Sequence, residues 1–209
     1  MPATATAATF VTLVQVSPVR GAGEDRAAAI ARGDGVVLAV ADGAGGTGGG
    51  ARAADAVIAA VIDAQRAAPT PPSWTDALAA LDAALPHLGP GQATAVVVEI
   101  TAAGLRGASV GDSGAWLIGD DLVDLTTDQR RKPLLGAGAT PVAFAAGPLA
   151  DRTLLLASDG LWRYARPADI VAAARRADLA DAAAALLALV RLPSGGLPDD
   201  VAIVLAREA

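Results

Sequence analysis

The chain has 209 residues, a length that fits a single domain over residues 1–209 with room for a sizeable core. Its formal net charge of -6 leaves no basic footprint for a nucleic-acid backbone, so nucleic acid is not an expected partner. Cysteine is absent and His87 is the only histidine, which excludes disulfides, thiolate nucleophiles and zinc sites built on cysteine or several histidines. A metal site must therefore use oxygen ligands, which suit magnesium or manganese.

The sequence also predicts a cytoplasmic protein that does not enter a membrane. Residues 1–16 lack the basic start of a signal peptide. The apolar run at 182–190 is much shorter than the ~20 residues that a membrane span requires.

The predicted elements follow one another in blocks. Apolar, β-branched runs bounded by Gly, Asp or Pro predict strands at TFVTLVQV, GVVLAVA, ATAVVVEI, LRGASV, AWLIG, LVDLT, TLLLAS and VAIVLA. Between the second and third runs, a helix is predicted over 50–68, and another follows Ser73, a typical N-cap residue.

Two further helices precede the last strand, one with Pro167 in its first position and one beginning at Asp178. Because most strands follow one another through short turns, the order favours an α+β fold with antiparallel sheets and helices packed outside them.

Several predicted strands end or begin at a carboxylate. Asp42 follows the strand in VVLAVADG, Asp159 follows the strand in TLLLASDG, and Asp112 follows the strand in LRGASVGDSG. Asp199 and Asp200 precede the strand in LPDDVAIVLA. A single Asp-Gly is typical of a hairpin turn. If these strand ends converge, however, the carboxylates need cations or protons between them, and Asp42 is then predicted to be a metal ligand.

The motifs VRGAGED, VADGAGG, GDSGAWL, LTTD, LLLASDGLW and DDVAIV occur in this order along nearly the whole chain. In this the sequence resembles the metal-dependent serine/threonine protein phosphatases of type 2C, in a compact, bacterial-like form. The resemblance implies a four-layer α-β-β-α sandwich of two antiparallel sheets flanked by helices. It also implies two Mn²⁺ or Mg²⁺ ions at one end of the sandwich, with a third, weaker ion.

The resemblance assigns the metal ligands position by position. Asp42 resembles the carboxylate that bridges both ions, and the carbonyl of Gly43 resembles a ligand to one of them. Asp159 and Asp199 resemble the remaining direct ligands, and Asp112 resembles the ligand of the third ion.

Glu24 and Asp25 are expected to act through metal-bound waters, and Arg20 resembles the arginine that holds the substrate phosphate. Arg20 and Asp42 are thus the expected catalytic residues. The implied reaction is hydrolysis of phosphoserine and phosphothreonine monoesters by a metal-bridging water or hydroxide. The implied substrate is a phosphorylated protein in bacterial signalling, opposing a serine/threonine kinase, and a monomer is expected.

The sequence departs from the family at several positions. Ala44 stands where many eukaryotic relatives have a histidine, Gly114 replaces an arginine, and Gln129 replaces another histidine. The segment from Asp128 to Asp151 is short compared with the flap of relatives, and its RRK run is predicted to be a solvated loop. Substrate selection is therefore the least transferable property.

Three alternatives compete with this interpretation. GAGGTG at 43–48 matches the glycine spacing of dinucleotide-binding enzymes, and GDSG at 111–114 would make Ser113 a protease nucleophile with His87, which is predicted to lie in a Pro/Gly loop. The third alternative is a type 2C-like regulatory or binding module with low or no activity. The intact set of Arg20 and the motif aspartates favours an enzyme over such a module.

Overall fold

The computed structural model describes residues 10–33, 35–45, 49–67 and 73–209. One sheet has the strand order β1 (Phe10–Ser17), β12 (Val201–Glu208), β11 (Thr153–Ala157), β8 (Gly114–Ile118) and β9 (Leu122–Asp124). The second has the order β10 (Val142–Ala146), β7 (Gly104–Val110), β6 (Ala95–Thr101), β3 (Gly35–Ala41) and β2 (Arg26–Arg32). A short pair, β4 (Gly43–Ala44) and β5 (Gln92–Ala93), stands apart from both.

The helices are α1 (Gly49–Ala67), α2 (Trp74–Leu88), α3 (Asp159–Trp162), α4 (Pro167–Ala174) and α5 (Leu179–Leu189). All strand pairs between the described residues are antiparallel. The predicted α+β sandwich of antiparallel sheets flanked by helices is confirmed. None of the helices in the described part of the chain is long and apolar enough to cross a membrane.

The alternation of side chains along the strands separates three apolar layers. In β3, Val36, Leu38 and Val40 pack between the two sheets, whereas Val37 and Ala39 face α1 and α2. The strand is therefore apolar throughout because it is covered on both faces.

Strand β12 repeats this arrangement in the other sheet. Ala202, Val204 and Ala206 point between the sheets, and Val201, Ile203 and Leu205 pack with α4 and α5. The four layers thus follow from the period of two along each central strand.

The predicted helix starts are confirmed. The Ser73 hydroxyl caps α2 by accepting from the backbone N of Asp76 at 3.2 Å. The Asp178 carboxylate caps α5 by accepting from the backbone N of Ala180, and Pro167 is the first residue of α4. The Ser73 and Asp178 side chains satisfy backbone N–H groups that have no partner within the helix. Proline has no backbone N–H, so at the first helical position it leaves no such group unpaired.

Several elements depart from the sequence-based prediction. Strands β2, β4 and β10 and the one-turn α3 are additional elements, and the predicted run ATAVVVEI is divided between β5 and β6. The prediction that His87 lies in a loop is wrong, because α2 runs to Leu88 and includes His87. The Leu85 side chain of this last turn packs in the core, and Gly89, which has φ 127°, caps the C-terminal end of the helix. The predicted first strand and first helix each extend one residue, Thr9 and Ala68, outside the described residues.

Candidate metal centre

The antiparallel topology brings the acidic strand ends to one end of the sandwich. Strands β3 and β7 both flank β6 in antiparallel pairing, so they run in the same direction and end at the same edge of their sheet. Asp42 directly follows β3, and Asp112 follows β7 after one glycine. In the other sheet, the end of β11 lies beside the start of β12, which brings Asp159 close to the Asp199–Asp200 pair.

The convergence expected from the sequence is found for three of these carboxylates. Carboxylate oxygens of Asp42, Asp112 and Asp159 all lie within 4.8 Å of one another, and each side chain is half-buried. Asp199 lies at the edge of this group, with 44% of its side chain exposed. We call Asp42, Asp112 and Asp159 the acidic cluster.

Asp25 lies buried beside the acidic cluster, with 2% of its surface exposed. The Ser158 hydroxyl donates to its Oδ2 at 2.6 Å and accepts from the backbone N of Ala202 at 2.9 Å. Ser158 therefore links Asp25, the residue before β2, to the start of β12.

Burial and mutual repulsion raise the pKa values of three carboxyl groups at this rim, Asp42, Asp25 and Asp159. The pKa of Asp42 rises to about 8, first because of burial and then because of the negative charges of Asp25, Asp159, Asp112 and Asp199. The pKa of Asp25 rises to about 7, mainly through burial, although the hydrogen bond from Ser158 opposes the rise. Burial also raises the pKa of Asp159, which Arg163 partly offsets. Such a concentration of oxygen donors and negative charge fits hard divalent cations.

Backbone contacts fix the loop that follows Asp42. The backbone N of Asp42 donates to Thr94 Oγ1 at 2.9 Å, and its carbonyl accepts from Thr94 N at 2.8 Å. A Cβ on Gly43 would lie 2.2 Å from the carbonyl oxygen of Gly50, and one on Gly50 would lie 2.8 Å from the Glu24 carboxylate. Glycine is therefore required where this loop meets the start of α1 beside Glu24.

The two aspartates before β12 have different environments. The Asp200 carboxylate accepts from the backbone N of Val19 at 2.7 Å and from that of Glu24 at 2.6 Å, so it fixes the loop that carries Arg20. A Cβ on Gly160 would lie 1.9 Å from the Asp200 carbonyl oxygen, which explains the glycine of the SDG motif. Asp199 instead accepts from the backbone N of Asp200 at 3.0 Å, and its Oδ2 lies 3.8 Å from Nη1 of Arg163, which also contacts Asp159 of the acidic cluster.

Arg20 is exposed in the loop after β1, and its carbonyl accepts from Gly23 N at 3.1 Å. Its guanidinium has no hydrogen-bond partner among the described residues. The roles that the sequence assigns to Arg20, Glu24, Asp25, Gly43 and the aspartates stay predictions.

Sequence reasoning missed two arginines that contact the cluster. Arg163 Nη1 lies 3.0 Å from Asp159 Oδ2 and 3.8 Å from Asp199 Oδ2. Arg131 Nη2 lies 2.8 Å from Asp112 Oδ2. The i,i+4 spacing of Asp159 and Arg163 is a signal that could have indicated the first pair. The RRK run contains no signal that could have indicated the pairing of Arg131 with Asp112. Arg131 forms this ion pair although its own side chain is exposed.

The structure also decides between the alternatives. Ser113 is fully buried and its hydroxyl lies 2.6 Å from Thr94 Oγ1, so it is inaccessible as a protease nucleophile. Strand β3 pairs antiparallel on both sides, unlike the parallel βαβ unit of dinucleotide-binding folds. Part of the GAGGTG motif, residues 46–48, lies outside the described residues.

Comparison with solved structures identifies the fold. The chain is 26% identical to the catalytic domain of the serine/threonine protein phosphatase PstP in complex with two manganese ions, covering 94% of this chain and 97% of that one, with a TM-score of 0.78. The Mycobacterium tuberculosis phosphatase PstP/Ppp is 25% identical over 95% of this chain and 98% of that one, with a TM-score of 0.79.

The serine/threonine phosphatase Stp1 of Staphylococcus aureus is 19% identical over 98% of this chain and 96% of that one, with a TM-score of 0.80, and supports the fold alone. Neither protein-family models nor curated proteins give a match. Two five-stranded antiparallel sheets with an acidic cluster at one rim are thus the architecture that this chain shares with these solved phosphatases. These similarities support a bacterial-like member of the type 2C family of metal-dependent serine/threonine protein phosphatases.

Proposed function

We propose that this protein is a metal-dependent phosphatase that hydrolyses phosphoserine and phosphothreonine monoesters of proteins. The observation that carries the proposal is the convergence of Asp42, Asp112 and Asp159 within 4.8 Å at the rim of this fold. The manganese-bound PstP domain, similar over 94% of the chain, supports a metal-dependent enzyme over a regulatory module without activity.

The residues present fit divalent cations because they are oxygen donors, closely spaced and partly desolvated. Asp42, the Gly43 carbonyl, Asp159 and Asp199 would hold two Mn²⁺ or Mg²⁺ ions, and Asp112 a weaker third. Glu24 and Asp25 would act through water. Ions bound there would supply the positive charge that activates water and neutralises the phosphate.

The chain's own groups would then bind and orient the substrate. Arg20 is exposed, and its guanidinium, which has no hydrogen-bond partner in the part of the chain that the structure describes, is a planar fork that matches two phosphate oxygens. Asp200 holds the backbone of this loop at Val19 and Glu24, so Arg20 is carried on a fixed support. We propose Arg20 and Asp42 as the catalytic residues.

Finer features belong to the same proposal. Residues 1–209 would form one catalytic domain whose flap is shortened to the segment between Asp128 and Asp151. The protein would act as a cytoplasmic monomer in bacterial signalling, on phosphoproteins made by a serine/threonine kinase. Absent cysteine and a net charge of -6 are compatible with these expectations.

The test is hydrolysis of an aryl phosphate and of phosphoserine peptides with Mn²⁺, with Mg²⁺ and with chelator. Wild type should be active with a metal and inactive in chelator, and Asp42→Asn should be inactive throughout. Asp169→Asn, which alters a carboxylate on α4 paired with Arg166, is the matched control and should retain activity. Mn²⁺ binding by wild type without turnover of any phosphoester would instead support the regulatory module.

A second variant tests the role of Arg20. Arg20→Ala should raise KM and lower kcat/KM while leaving Mn²⁺ affinity unchanged, because the guanidinium forms no ion pair with a carboxylate among the described residues. Arg166→Ala is the control. Loss of Mn²⁺ binding in Arg20→Ala would contradict the assignment.

A further inference from the structure

Arg131, in the short flap, is bound to a carboxylate of the acidic cluster. Its Nη2 lies 2.8 Å and its Nε 3.2 Å from the same atom, Asp112 Oδ2. The Asp112 side chain is 27% exposed and that of Arg131 is 72% exposed, so the guanidinium approaches the cluster from solvent.

Hydrogen bonds of the residues next to Arg131 and Asp112 hold the two segments in position for this contact. Gly111 N donates to the carbonyl of Arg130 at 3.3 Å, and Gln129 Nε2 donates to the carbonyl of Ser113 at 2.7 Å. The stretch 129–131 is therefore held alongside 111–113, on both sides of Asp112. Gln129 has a structural role in this arrangement although it replaces a histidine of the family pattern.

Two cations compete for one carboxylate oxygen at this point. A divalent ion on Asp112 Oδ2 would have to displace two guanidinium hydrogen bonds and would be repelled by the guanidinium charge. We propose that Arg131 is an internal competitor of the metal ion at Asp112 and thereby sets the concentration of Mn²⁺ at which the weakest site fills. This inference rests on the proposed function, which supplies the ion at Asp112.

The experiment measures Mn²⁺ binding to the full chain by titration calorimetry, without substrate, for wild type and Arg131→Gln. Because exposed ion pairs contribute modestly, Arg131→Gln should tighten the weakest Mn²⁺ site by about two- to fivefold. The Mn²⁺ concentration for half-maximal phosphatase activity should fall by a similar factor.

Arg130→Gln is the matched control, since it removes the same charge from the neighbouring residue, whose side chain has no hydrogen bond or ion pair within the described residues. It should change Mn²⁺ affinity less than Arg131→Gln does. In an Asp112→Asn background, Arg131→Gln should have no effect on Mn²⁺ affinity, because the competed carboxylate is gone.

Unchanged or weaker Mn²⁺ binding in Arg131→Gln would overturn the inference, and so would equal tightening in Arg130→Gln. A raised KM for phosphopeptide with unchanged Mn²⁺ affinity would make Arg131 a substrate-binding residue instead. Absence of any Mn²⁺ binding to wild type would overturn the proposed function itself, so the two failures are distinguishable.

Discussion

Metal binding to this protein should release protons, because two carboxyl groups of the proposed centre are protonated near neutral pH. The pKa of Asp42 is raised to about 8 and that of Asp25 to about 7. At pH 7, Asp42 is then about 0.9 protonated and Asp25 about 0.5, so a complex with both ionised releases about 1.4 protons. At pH 8.5 the release falls to about 0.3 protons.

The same values give the sign of the pH dependence. Protons compete with the metal, so Mn²⁺ affinity should increase as pH rises, by about tenfold between pH 7 and pH 8. Below pH 6 both groups are almost fully protonated, and the dependence should be steeper.

The assay is calorimetric titration of the chelator-stripped protein with Mn²⁺ in PIPES and in Tris at pH 7, since the two buffers differ in ionisation enthalpy. The difference between the measured enthalpies gives the number of protons released. Asp25→Asn should lower the release to about 0.9 protons or fewer at pH 7, because the amide cannot titrate and because loss of the Asp25 charge also lowers the pKa of Asp42. Asp169→Asn should change nothing. Enthalpies that do not depend on the buffer would refute this reasoning.

Three further predictions concern stability. Ser158→Ala should lower the free energy of unfolding by about 1–3 kcal/mol in urea denaturation, because it leaves buried groups of Asp25 and Ala202 without their partner; a change below about 0.5 kcal/mol would contradict the role of this hydroxyl. Asp82→Ala should speed amide hydrogen exchange at Gly136, Gly138 and Ala139, all of which donate to Asp82 Oδ1, whereas Asp63→Ala on α1 should leave it unchanged; equal exchange rates in Asp82→Ala would refute this anchoring of the flap. In chelator, the raised pKa values of Asp25 and Asp42 contribute stability that is present below the ordinary value of 3.8 and is lost as pH rises through about 7 to 8; the urea midpoint should therefore fall over this range, and the idea fails if it rises.

The sequence by itself determined the elements whose signals are local. Ser73, Pro167 and Asp178 start helices because their side chains act on the nearest backbone N–H groups. The central strands follow from continuous apolar runs, since β3 and β12 are covered on both faces. The placement of aspartates at strand ends also indicated which carboxylates would need cations or protons if those ends converged.

Weak local signals hid the remaining elements. Strand β2 has the sequence RAAAIAR, in which alanine has low β-propensity, and it forms an edge strand because β3 offers a partner. His87 lies in the last turn of α2, which continues to Leu88 beyond its last buried residue, Leu85, although the neighbouring Pro and Gly residues favour a turn. In β2, pairing with β3 overrides propensity.

Only the tertiary structure determined which partner each charged group of the site has. Asp199 and Asp200 are adjacent in sequence, yet Asp200 binds backbone N–H groups about 180 residues away while Asp199 Oδ2 lies 3.8 Å from Nη1 of Arg163. Asp25 gains its raised pKa from burial and from aspartates of distant strands. Arg131 reaches Asp112 because two loops are joined by a backbone hydrogen bond from Gly111 to Arg130 and a side-chain hydrogen bond from Gln129 to Ser113. Local pattern specifies which groups stand at strand ends, but partners, burial and charge balance depend on contacts between segments far apart in the chain.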